Sequence, residues 1–201
     1  MTVYGVLVFD DAEDLDVVGP WQVFTTSARL RGDVDRAVLV AERDGPVRFA
    51  KGLRVLADHT LDDHPALDVV TVPGGLGART AQLENPVVTG WIARRAESAG
   101  WVHSVCTGAL LLHAAGVVQG RRVATHWASE DRLEALGGVT VVRDARYVVD
   151  GTVLTSQGVS AGIDSALWLV GRLHGRDHAR AVRRALQYDP APPYMADEPG
   201  A

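Results

Sequence analysis

The sequence predicts an α/β protein, a mostly parallel sheet between two helical layers. Three observations carry this. Strands alternate with helices over the whole length, and the runs at 2–9 and 68–72 are largely apolar, as strands buried on both faces are. The third is size: 201 residues, 47% hydrophobic and 22% charged, make one domain of ordinary length with ample core, which excludes disordered and fibrous classes.

Each element follows from local signals. Residues 2–9 (TVYGVLVF) form a central strand and 10–16 an acidic loop. Gly19-Pro20 opens a helix to about Leu30, since proline fits the first helical position. Residues 35–42 are a second strand, and 46–58 two short strands around Lys51-Gly52, a hairpin appended to the sheet. The strand 68–72 stops at Pro73-Gly74-Gly75, and Asn85-Pro86 caps a helix to Ser98. Strand 101–105 runs directly into Cys106 and a small apolar helix over 107–115. A strand at 122–125, a helix over 127–136 closed by Gly137-Gly138, and strands at 139–142, 147–149 and 152–155 follow, the last two joined by an Asp150-Gly151 turn. Helices over 161–173 and 177–188, with Asp177 as N-cap, precede an irregular Pro-rich tail from 189.

Twenty Lys and Arg against twenty-five Asp and Glu leave a net charge of −5, with no basic tract. That balance argues against a nucleic-acid or membrane-surface binder. No basic n-region precedes the first strand, and no apolar run approaches the roughly 20 residues that span a bilayer. A single cysteine forbids an intrachain disulfide and a multi-cysteine zinc site, and it suits a cytoplasmic enzyme. No histidine pair has convincing metal spacing, so no metal is expected.

In a sheet of this kind the ligand site lies at the carboxyl ends of the strands. Three loops should meet there: 10–19, 73–77 and the Val105-Cys106-Thr107 junction. Cys106, between strand and helix without a linker, has the layout of a nucleophile elbow, and the helix start would lower its pKa. The competing reading is a buried structural cysteine. The glycines of 73–77 could donate N–H groups to an oxyanion, form a weak nucleotide loop, or make a plain turn. Asp16, with apolar neighbours on both sides, is either a helix cap or a desolvated carboxyl with a raised pKa that can donate a proton. His126 follows a short strand and could also reach the carboxyl edge.

Five ordered segments, LDVVGPWQVF (15–24), VPGGLGAR (72–79), SVCTGALLLHAAGVVQGRRVATHW (104–127), TSQGVSAGIDSALWLV (155–170) and QYDPAPPY (187–194), resemble the DJ-1/PfpI superfamily. Within it they most resemble the isonitrile hydratase branch. The resemblance implies a flavodoxin-like three-layer sandwich of the class I glutamine amidotransferase type, a homodimer, and no cofactor. It implies Cys106 as nucleophile, Asp16 as acid, His126 at the active-site histidine position, and the amides of Gly75 and Thr107 as oxyanion hole, beside Gly74. Thr107 stands where related peptidases have histidine, which argues against a peptidase. Val18, Trp21 and Trp127 are expected to line an apolar pocket for a small electrophilic substrate. The same groups would serve a glyoxalase acting on 2-oxoaldehydes, with His126 as shuttle, or a non-catalytic module in which Cys106 is oxidised.

Overall fold

The computed structural model describes residues 1–190. The Pro-rich tail therefore lies, from residue 191 on, outside the described residues, and with it the second half of QYDPAPPY. Seven strands form the main sheet in the order β10-β11-β7-β6-β1-β2-β5. These are β1 (Val3–Val8), β2 (Arg36–Ala41), β5 (His59–Thr60), β6 (Val69–Val72), β7 (Trp101–Val105), β10 (Tyr147–Asp150) and β11 (Val153–Ser156). Every pairing is parallel except β10 with β11, whose hairpin turns at Gly151-Thr152, one residue later than expected, because Asp150 still pairs with Val153. β1 and β6 are buried along their whole length, which is why their sequences carry no polar alternation.

The chain runs from β1 through α1 (Asp14–Leu30) to β2 on one side, then returns to build β6, α3 (Pro86–Ser98) and β7 on the other. Right-handed crossovers in opposite directions put α1 and α3 on opposite faces of the sheet. α6 (Ala161–His174) and α7 (Arg176–Ala185) pack with α1, and α4 (Gly108–Ala114) packs with α3. The core is centred on Tyr4, Leu7, Phe24, Trp91 and Leu110, with Tyr4 stacked on Phe24 at 4.4 Å between ring centroids. No helix among the described residues is long and apolar enough to cross a membrane.

Several expectations need correction. α1 begins at Asp14 rather than at Gly19, so Pro20 lies inside the helix. Proline has no N–H, so the Asp16 carbonyl four residues earlier loses its helical donor. The hairpin of β3 (Pro46–Arg48) and β4 (Arg54–Leu56) is a separate two-stranded sheet, while β5 extends the main one. β8 (Arg121–Val123) and β9 (Val139–Val141) form a second small sheet, parallel, on either side of α5 (Glu130–Ala135). A one-turn helix, α2 (Leu76–Arg79), occupies what reads as loop. Asn85 caps α3 as expected, accepting from the Val87 and Val88 N–H groups. Asp177 does not cap α7: Gly175 holds that position, and Asp177 pairs with Arg180 in the first turn.

His103 in β7 is fully buried, bonded through Nε2 to Ser165 Oγ (2.8 Å) and through Nδ1 to Thr71 Oγ1 (3.2 Å). Burial pushes its pKa down to about 3, so it is neutral in the folded protein. In the unfolded chain it takes up a proton below about 6.5, so its contribution to stability falls as pH drops from that value towards 3. The urea midpoint should therefore decline below pH 6.5, and His103→Gln should flatten that decline. An unchanged slope would show that other groups set it.

Candidate active site

The sheet order reverses between β1 and β6, and the loops leaving these strands part to opposite faces. Ligand sites of such sheets form at this point, and the elements beside it carry Asp16, Gly74, Gly75 and Cys106. The loop after β1 is tied to the loop after β6: Glu13 N–H donates to the Gly74 carbonyl at 2.9 Å, and Ala12 bridges to Gly75. Gly74 N–H donates to Asp16 Oδ2 at 3.0 Å, which orients the carboxyl inward from the first turn of α1. Gly75 N–H donates to Thr107 Oγ1 at 3.0 Å. Both glycine amides are thus engaged in positioning the acid and the residue after the cysteine. Gly75, at φ +122°, also lies where a side chain would overlap the backbone of Asp11 and Glu13.

Cys106 is a non-glycine residue in the left-handed region, φ +56°, the strained turn expected of an elbow. Gly108 lets α4 approach β6 closely, since a Cβ there would overlap the Val72 carbonyl. The Cys106 N–H is shared between the Ser156 and Gln157 carbonyls (3.2 Å each), and its carbonyl accepts from Thr125 Oγ1 (2.9 Å). The sulfur lies beside the Asp16 carboxyl, within reach of the Thr107 and Val159 N–H groups.

Asp16 is fully buried, and its Oδ1 has no hydrogen-bond partner among the described residues. Burial pushes its pKa up to about 7, against the pull of the Gly74 N–H. It is therefore the desolvated acid, not a cap; Glu13 holds the N-cap position. The expectation of a thiol lowered by the helix start is overturned. α4 has only seven residues, and burial, then the negative charge of Asp16, push Cys106 up to about 12. A proton leaving near pH 7 comes from the pair, and moving the Cys106 proton onto Asp16 creates a thiolate beside a neutral acid at no change in net charge. The nearby Thr107 and Val159 amides favour that arrangement, since both pull the thiol pKa down.

The other expected residues are not all brought together. The His126 ring presses on Gly158, where no Cβ would fit, and its Nδ1 accepts from Ala128 N–H at 3.2 Å. It makes no hydrogen bond to Cys106 or Asp16 among the described residues. Val18 lies two residues beyond Asp16, roughly 200° around the helix, and is exposed. It does not share the acid's face. Trp21 is half-buried against the core, and Trp127 is 74% exposed beside His126. Sequence reasoning missed the loop 157–160, which covers the cysteine. The same rule that places the other loops at the carboxyl edge applies to the end of β11 and would have found it.

The sequence profile of the DJ-1/PfpI family matches residues 2–171. An isonitrile hydratase of Pseudomonas putida is 40% identical over 97% of this chain and 82% of its own length. A Parkinson disease protein 7 homolog of Danio rerio is 30% identical, covering 90% of this chain and 94% of its own. A solved structure, a THiJ/PfpI family protein of Pseudomonas syringae, superposes with a TM-score of 0.88 at 30% identity, covering 98% of this chain and 79% of that one. With a profile match over most of its length, and with the strained cysteine at the carboxyl edge of an α/β sheet, the chain belongs to the DJ-1/PfpI family.

Proposed function

We propose that the protein hydrates an isonitrile, R–N≡C, to the N-substituted formamide. The observation that carries this is the buried Asp16 carboxyl against the Cys106 sulfur, with a raised pKa and a free Oδ1. The 40% identity to an isonitrile hydratase over nearly the whole chain supports it. The Cys106 thiolate adds to the terminal carbon while Asp16 gives that carbon a proton, forming a thioimidate, R–N=CH–S. Ionised Asp16 then takes a proton from water as the hydroxyl adds to the same carbon, and passes it to the nitrogen. It finally accepts the hydroxyl proton as the C=O forms and the thiolate leaves. Acid and thiolate are both restored, and no cofactor enters. The Thr107 amide, next to the nucleophile, serves as the oxyanion donor; Gly75 acts through Thr107 Oγ1, and joins the oxyanion hole only when that hydroxyl turns away.

Incubation with cyclohexyl isocyanide should yield the formamide by mass spectrometry, and Cys106→Ala should abolish it. No formamide from any of a panel of isocyanides would sink the assignment. Lactate from methylglyoxal would instead favour the glyoxalase reading, which requires a shuttle that His126, turned to Ala128, does not provide here.

We further read the one-domain chain as a homodimer. Leu15, Val18, Leu53 and Leu56 are exposed on α1 and on the β3–β4 hairpin. Asp14 joins the two elements by accepting from the Lys51 and Leu53 N–H groups. Light scattering should give twice the 21.5 kDa chain mass, and Leu56→Glu should shift it towards monomer. A monomer at micromolar concentration would overturn the dimer.

A further inference from the structure

The loop 157–160 reaches Cys106 through a residue that does not favour its conformation. Val159 is β-branched, yet its φ is +52°. Such a residue is a genuine outlier, and it persists only where its surroundings over-determine it. The Gln157 carbonyl two residues earlier accepts from Cys106 N–H at 3.2 Å, which seats the loop on the cysteine turn, and the Val159 N–H lies close enough to favour the charged form of the sulfur.

Arg146, just before β10, grips this loop at both ends. Its backbone carbonyl accepts from Gln157 N–H at 3.1 Å. Its guanidinium donates to Ser160 Oγ at 3.0 Å and to Asp164 Oδ2, in the first turn of α6, at 2.6 Å. From beyond α7, Tyr188 OH donates to the other Asp164 oxygen at 3.0 Å, fixing the carboxylate that Arg146 pulls on. On the inner side the His126 ring closes on Gly158. The loop is therefore held between a cation network outside and the cysteine and histidine inside.

We propose that Arg146, with Asp164 and Tyr188, is a positioning residue that holds the Val159 amide on the Cys106 sulfur. This rests on the reading of Cys106 as the nucleophile, but its consequence can be read on the sulfur alone. Arg146 and Asp164 are both partly exposed, so their ion pair adds little to global stability. What the network sets is the place of one amide.

The test is the pH dependence of iodoacetamide alkylation of Cys106 in the full chain, in the Asp16→Asn background so that the carboxylate does not titrate with it. Glu13, at the start of α1, and His126, across Gly158, are further titratable groups around the site, and both are common to every variant. Arg146→Ala should raise the alkylation midpoint by about one unit, a roughly tenfold lower rate at a fixed pH below it. Tyr188→Phe and Ser160→Ala should shift it in the same direction by less, and Arg146→Lys, which keeps one contact, should recover part of the loss. In the wild-type background Arg146→Ala should lower kcat with KM nearly unchanged. Arg121→Ala, which removes a comparable half-exposed pair with Asp150, should leave the midpoint where it is. An Arg146→Ala profile that overlays its parent, or an equal shift in Arg121→Ala, would overturn the proposal. If Arg146→Ala fails to fold by near-ultraviolet circular dichroism, Ser160→Ala decides alone. A shifted midpoint in a protein that makes no formamide would leave Arg146 in its role and remove only the hydratase reading.

Discussion

Asp16→Asn should lower isonitrile turnover by about 10²–10⁴-fold and, at pH 8, raise the thermal midpoint. Both effects come from one carboxyl. Every proton in the proposed reaction passes through Asp16, and an amide of the same shape transfers none. The folded protein, however, keeps this group in a place that penalises its charge: burial holds its pKa near 7, and Oδ1 is unpaired. An acid whose folded pKa is raised contributes stability below about 3.9, its unfolded value, and loses it as pH climbs through 7. Relative to asparagine, the wild type should be less stable by a few kcal/mol at pH 8 and nearly equal at pH 4. The thiol should move too. The charge on Asp16 helps hold Cys106 up, so the variant's cysteine should alkylate at lower pH than the wild type's. Thermal melts at pH 4 and 8, with alkylation profiles and formamide assays, read all three. A variant as fast as wild type would reduce Asp16 to a structural residue.

The second large effect is expected at Gly74. A Cβ there would lie 2.5 Å from Thr107 N, 2.6 Å from Thr107 Oγ1 and 2.9 Å from Asp16 Oδ2. None of these is the free end of a flexible chain. Gly74→Ala must push the acid and the nucleophile turn apart, and a misplacement of about 1 Å costs on the order of 10²-fold in rate. The overpacking should cost about 1–3 kcal/mol of stability. Gly90→Ala on α3 is the contrast: its nearest contact is Arg94 Nη1 at 3.4 Å, so it should gain up to about 1 kcal/mol and leave turnover alone. Urea midpoints and kcat separate the two. Equal activity in Gly74→Ala and wild type would show that the crevice tolerates the expansion.

Much of this architecture was legible because its signals are local. Val69–Val72 and Val3–Val8 read as buried strands from composition, and Asn85-Pro86 marks a helix start by capping chemistry. The start of α1 was not legible, because Pro20 mimics a first-turn proline; only tertiary packing on α6, where Gly162 meets the Pro20 ring, makes a mid-helix proline acceptable. That Cys106 and Asp16 lie together was legible from their places beside strand ends. The sign of the thiol shift was not, since it depends on how closely a carboxylate from another element approaches and how far water is excluded. Nor could the positive φ of Val159 be read, because a valine carries no signal for the left-handed region.

The covering of Cys106 also has a consequence for how the chain is made. Synthesis runs from the N-terminus, so the cysteine emerges about fifty residues before the segment whose carbonyls and amide enclose it. Until β11 pairs with β7 and α6 docks, the protein's one thiol has no roof. Its protection against alkylating or oxidising agents is thus a late event in assembly. In a refolding experiment, pulsed alkylation at this single position would date the closing of the sheet's last parallel pair.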